Sequence, residues 1–111
     1  MSRKFGRKTG QRRAFKKGLA SNLIMQERIL TTSARAKEIR PIVEKMITTA
    51  KKSNLASLRA LLSDLPAQSA NKIYYEIAPR YKDRKGGYIR IVKTEKRRKR
   101  DGVELSVIEF V

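Results

Sequence analysis

Pro79 divides the chain between two hydrophobic rhythms, and any fold has to accommodate both. On its N-terminal side apolar residues recur every three or four positions, the period of a helix buried on one face. Beyond it they alternate, the period of a strand. With 111 residues the chain is short enough for one domain. Its 40% apolar content is enough to bury a core.

The helical part resolves into segments. Phe15, Leu19 and Leu23, with Ala20 and Ile24, predict a helix over Gln11–Glu27. Arg28–Thr32 is short and rich in β-branched residues and reads as a strand. Thr32 or Ser33 then caps a long helix to about Lys52, whose buried set is Ile39, Ile42, Val43, Met46, Ile47 and Ala50. Pro41 falls inside that pattern and predicts a kink, since the apolar face continues across it. Ser53 and Asn54 introduce a third helix with Leu55, Leu58, Leu61, Leu62 and Leu65, stopped by Pro66. A fourth, about Ala67–Ala78, buries Ala70, Ile73, Tyr74 and Ile77 and is stopped by Pro79. These stripes read as plain core, not as a ligand pocket.

After the Gly86-Gly87 turn, Tyr88–Lys93 alternates, with Ile89 and Ile91 on one face. Asp101-Gly102 marks a hairpin whose return strand is Val103–Val111. Val103, Leu105 and Val107 face one way and Ile108 and Phe110 the other, which predicts a bulge or an edge partly buried on both faces. Ile39, Val43, Met46 and Ile47 are expected to centre the core together with Ile89 and Ile91. The fold class is α+β: a two-layer α/β domain of element order α-β-α-α-α-β-β, a small mixed sheet with helices on one face. Residues 1–10 form a basic flexible tail, and residues 11–111 the single domain.

Charge is distributed just as unevenly. The sequence holds 28 Lys and Arg against 10 Asp and Glu, a formal net charge of +18. Eight of the cations, Arg3, Lys4, Arg7, Lys8, Arg12, Arg13, Lys16 and Lys17, fall within residues 1–20 without one acid. Residues 80–100 hold eleven more, among them Arg80, Arg84, Lys85, Arg90 and the run Lys96, Arg97, Arg98, Lys99 and Arg100. Residues 21–79 have an ordinary balance. Basic runs are often merely solvated surface, but eight like charges without a counter-charge repel one another. The magnitude favours a polyanionic partner over bare solvation.

The residue inventory excludes most chemistry. Without Cys or His there is no disulfide, thiolate, His-ligated metal or His-assisted nucleophile. The ten acids are scattered, where a metal-dependent nuclease needs a carboxylate cluster. Gly86-Gly87 is a doublet and makes no phosphate-binding glycine loop. Apolar runs reach only about three residues, such as Leu23-Ile24-Met25, so no membrane span or signal-peptide core is expected. The reading is a non-secreted binding protein of a bacterial cytoplasm or an organelle, not an enzyme, with no cofactor, no small-molecule substrate and no membrane partner.

Binding is better supported. Cations at the start of the first helix oppose its macrodipole, and a bound phosphate would offset that cost. Tyr81 and Tyr88 lie among cations where a ring can stack on an unpaired base; packing is the competing reading, the stronger one for Tyr88. Arg90 is held on a strand, with a cross-strand pair to Glu104 or Glu109 as its competitor. A DNA-compacting, nucleoid-associated protein would show the same net charge. Here, however, the charge is divided between a tail, a helix start and a hairpin tip, which suits an irregular folded RNA.

Several motifs, in order, add a resemblance. Ile29–Arg40, Pro79-Arg80-Tyr81, Arg84–Ile91 and the ending Val107–Val111 resemble the bacterial large-subunit ribosomal protein seventeen family. The basic start, Gly6-Arg7-Lys8 through Arg12-Arg13-Ala14, is similar as well. Gln11 stands where the family usually carries His, the N-terminal tail is a few residues short, and Pro41 is unexpected in the long helix. The resemblance implies a structural constituent of the large ribosomal subunit that binds 23S-type rRNA and supports assembly near the polypeptide exit region. Neighbouring large-subunit ribosomal proteins are its implied partners. The expected rRNA-binding set then joins the cations named above from both zones, and Tyr88, to Arg35 and Lys37 of the signature segment.

Overall fold

A computed structural model of the chain describes residues 9–111. Of the tail expected over residues 1–10, the first eight residues lie outside that range, and Thr9 and Gly10 already belong to a helix. That helix, α1, spans Thr9–Gln26 and is followed by strand β1, Arg28–Thr32. Glu27 joins them with a positive φ of 64°, which turns the chain sharply from helix into strand. Helix α2 spans Ser33–Ala50, and Thr32 caps it by accepting the Arg35 N–H at 3.2 Å. Pro41 does not divide α2. It and Lys37, whose carbonyl loses its partner, lie on the exposed side where water replaces the missing bond.

Helix α3 spans Leu55–Asp64, opened by a reciprocal capping box between Asn54 and Ser57. Only one edge of it is covered. Leu61 and Leu65 are buried, whereas Leu55 and Leu62, expected in the core, are exposed, and Ser57 takes a buried position instead. The expected fourth helix is subdivided: α4, Ala67–Lys72, widens into a π-helical turn at Ile73–Ile77 and tightens into a 3-10 turn at Ala78–Tyr81. Pro79 therefore does not stop the helical path at Ala78. It sits in the first turn of the 3-10 segment, where a missing N–H costs nothing.

Strands β2 (Ile89–Arg97) and β3 (Glu104–Phe110) complete a three-stranded sheet of order β1-β3-β2. The expected mixed sheet is antiparallel throughout, because β3 lies between the other two strands and runs against both. β3 is thus the central strand and keeps a regular alternation. Ser106 occupies the inner position ahead of Ile108 and Phe110, and Val107 and Glu109 continue the outer face. The irregularity falls on β2, between Lys93 and Arg97. The apparent change of phase in β3 comes from a buried serine read as polar surface.

α1 and α2 pack on one face of this sheet, and α3 and α4 pack against those two helices. Ile39, Val43, Met46 and Ile47 of α2 meet Ile89 and Ile108, joined by Leu23 and Ile24 of α1 and by Ile73 and Ile77. Ile108, opposite both Ile29 and Ile91, holds the central place expected of Ile91, which is only half-buried. Burying one such aliphatic side chain stabilises the fold by about 1.5–3 kcal/mol.

The topology fixes the directions of the elements. Lys16 meets Glu38 near the starts of α1 and α2, while the Phe110 N–H reaches the Glu27 carbonyl near the ends of α1 and β3. α1, α2 and β3 therefore run together, and β1 and β2 return. The starts of both long helices share one end of the domain with the β2–β3 turn. The other end holds the chain between Arg80 and Tyr88.

Candidate nucleic-acid interface

The β2–β3 turn is built by its own residues. Gly102, at φ 66°, closes it, and the Arg98 guanidinium forks onto the Asp101 carboxylate at 3.0 and 2.5 Å. That fork, strengthened by the Val103 N–H, holds Asp101 at a pKa of about 2. Arg97 donates to the Gly102 carbonyl at 3.0 Å. Two of the five cations thus shape the turn, and Lys96, Lys99 and Arg100 project into solvent with no ion pair among the described residues.

Beside the turn, Ser33 at the start of α2 bonds the Glu104 carboxylate at 2.9 Å and the buried Ser106 hydroxyl at 2.6 Å. These contacts lock α2 to the base of the hairpin. α1 is locked to α2 in turn: Lys16 pairs with Glu38 at 2.8 Å, and the Arg35 guanidinium lies 5.0 Å above the Phe15 ring. Arg13 and Lys37 are exposed, Arg12 is half-buried, and Lys17 approaches Asp64 only at 3.7 Å. Cations from both basic zones and from the signature segment are consequently held on one rigid end of the domain. Arg3, Lys4, Arg7 and Lys8 lie outside the described residues.

At the opposite end most cations are engaged. Arg80 binds Glu27 through both terminal nitrogens, and Lys72 reaches the same carboxylate at 3.2 Å. The Arg80 hydrogen bond, aided by Lys72, holds Glu27 at a pKa of about 2 and raises that of Arg80. Arg84 folds back onto the Gly86 carbonyl at 3.1 Å, and Lys85 is exposed. Arg90 donates to Glu109 at 2.8 Å, the cross-strand alternative weighed for it.

Tyr88, included in the predicted RNA-binding set, is 2% exposed and cannot stack on a base. Gly87, at φ 66°, turns it inward onto Tyr81, with ring centroids 5.3 Å apart. Lys51 donates to its hydroxyl at 2.9 Å, and that hydroxyl donates to the Arg84 carbonyl at 3.1 Å. Tyr81 is buried as well; its hydroxyl donates to the Val111 carbonyl at 2.7 Å, and burial raises its pKa. Lys51, Glu27 and Glu38, which order these contacts, carried no recognisable signal, since scattered single charges acquire partners only through the fold.

Among the described residues no group of three or more His, Cys, Asp or Glu is placed to hold a metal ion, and no helix is long and apolar enough to cross a membrane. Residues 15–111 match the family described as Ribosomal protein L17. The chain is 48% identical over 108 residues to the large ribosomal subunit protein bL17 of Hydrogenobaculum sp. (strain Y04AAS1), covering 96% of this chain and 92% of that relative. Against the large ribosomal subunit protein bL17 of Caldanaerobacter subterraneus it is 49% identical over 110 residues, covering 98% and 97%. Against that of Desulfitobacterium hafniense the identity is 47% over 110 residues. A basic end locked into one rigid unit and a match along nearly the whole chain agree: this protein belongs to the ribosomal protein L17 family.

Proposed function

We propose that the chain binds 23S-type rRNA as a constituent of the bacterial large ribosomal subunit and supports its assembly near the polypeptide exit region. A protein of this family is a structural component, not an enzyme. The observation that carries the RNA reading is the gathering of unpaired cations at one end. Arg13, Lys37, Lys96, Lys99 and Arg100 come from three separated segments and share that end of the domain. Phosphates approaching from several directions would find fixed positive charges there, which suits a folded RNA better than one groove of a duplex. The tail cations Arg3, Lys4, Arg7 and Lys8 extend this set, and Lys85 supplies a contact at the far end.

Gradient sedimentation of a cell lysate tests the reading. The protein is expected to travel with large ribosomal subunits and to leave them only when salt or chelation unfolds the rRNA. Migration with the nucleoid would replace this reading with DNA compaction.

A further inference from the structure

Among the described residues nothing covers the outer face of the sheet. Across its three strands Leu30, Val107 and Val92 stand opposite one another, with Leu30 51% and Val92 47% exposed. The adjacent row is Arg28, Glu109 and Arg90. There the Glu109 carboxylate lies between two guanidiniums, 3.5 Å from Arg28 Nε and 2.8 Å from Arg90 Nε. Both arginine side chains remain largely exposed, at 69% and 61%. Two cations thus share one anion. A shallow depression of about 390 Å³, walled by Arg28, Leu30, Val107, Thr94 and Lys96, runs along the same face.

This surface differs in kind from the hairpin end. Its apolar residues are aliphatic and it carries no aromatic ring, so it offers no platform for stacked bases. With Glu109 between them, Arg28 and Arg90 leave the row one net positive charge, which a single carboxylate balances. A second copy of the chain would bring another +18 to the same face. What it does complement is an aliphatic side chain beside a single carboxylate: the aliphatic group covers the Leu30–Val107–Val92 row, and the carboxylate completes the charge of the Arg28–Glu109–Arg90 row. We infer that the outer sheet face docks a segment of another protein of the same subunit, one that presents an aliphatic residue close to an Asp or Glu. The inference rests on the ribosomal reading above and adds to it the surface and chemistry of a protein partner.

Photo-crosslinking within intact large subunits tests it. The full chain is supplied with Val92→p-benzoylphenylalanine and, separately, Leu30→p-benzoylphenylalanine. Subunits that contain it are purified, irradiated and digested. Both positions are expected to crosslink to one and the same protein, through a peptide with an aliphatic residue within a few positions of an Asp or Glu. Arg28→Glu in the same chain is expected to lower the yield about fivefold or more. Crosslinks to rRNA, to a second copy, or none in subunits that carry the chain at full occupancy would overturn the inference while leaving the ribosomal reading intact. Failure of the protein to enter subunits at all would sink that reading and this inference with it.

Discussion

The two ends of the sheet use the same residue types for opposite purposes. At the Tyr88 end cations are spent inward: Arg80 and Lys72 on Glu27, Lys51 on Tyr88 and the Arg84 carbonyl, Arg84 on Gly86. At the hairpin end two arginines and a lysine fix the frame, through Asp101, Gly102 and Glu38, while Arg13, Lys37, Lys96, Lys99 and Arg100 are exposed and have no ion pair among the described residues. A basic residue close to a carboxylate or an unsatisfied carbonyl serves the fold. One without such a neighbour is, on the proposed reading, the residue that meets the polyanion. Density of charge along the sequence therefore does not measure contribution to binding.

That contrast should appear first in a pair of substitutions with opposite signatures. Replacing Lys96, Lys99 and Arg100 together with Gln is expected to flatten the slope of log K against log salt on an rRNA fragment by about 2–3 units, at ~0.7–0.9 per phosphate contact. The melting temperature of the free protein should hardly move. Tyr88→Ala should do the reverse. It is expected to remove about 3–5 kcal/mol of stability, by losing a buried ring and its hydroxyl's bonds to Lys51 and the Arg84 carbonyl, while the salt slope is preserved in the folded fraction. If Tyr88→Ala lowered the slope at unchanged stability, the division between the two ends would be wrong.

An effect on the slope alone is expected from deleting residues 2–9, which removes Arg3, Lys4, Arg7 and Lys8. The slope should fall by about two to three units if most of them meet phosphate. Stability of the described domain should not change. Smaller still is the contribution of Glu27. Its pKa falls from an ordinary 4.5 unfolded to about 2 folded, so its stabilisation is complete above 4.5 and disappears as the pH drops toward 2. Glu27→Gln should lower stability by about 0.5–1 kcal/mol at neutral pH, the scale of a partly exposed ion pair. Between pH 4.5 and 2 the unfolding curves of the two proteins should converge. Curves that stayed parallel would mean that the ion pairs at Glu27 do not persist in solution.

Much of this architecture was legible in the residues. The change of period at Pro79, the cap before α2 and the Asp101-Gly102 turn each carry a local physical cause, and each element stands where that cause puts it. What escaped depended on neighbours far along the chain. Tyr88 alternates like a surface residue, and only the positive φ of Gly87 beside the end of α2 sends it inward. Pro79 reads as a stop, yet the preceding π-helical turn leaves it a tolerable place in a tighter helix. Ser106 hides the inner face of β3, because its hydroxyl is satisfied by Ser33, 73 residues away. The site was legible as composition, whereas its division was not. Residues 80–100 read as one basic zone, but β2 carries its two halves to opposite ends, and the second half joins the starts of α1 and α2.

Lysine reactivity in the free protein and in the intact large subunit measures that division directly. Lys37, Lys96 and Lys99 come from two separate segments and share the hairpin end without an ion pair among the described residues. Acylation followed by peptide mass spectrometry should show all three strongly protected on incorporation, and losing that protection together as rising salt releases the RNA. Equal reactivity of these lysines in the free chain and in the subunit would contradict the account, because the end with the free cations would then face solvent and not rRNA.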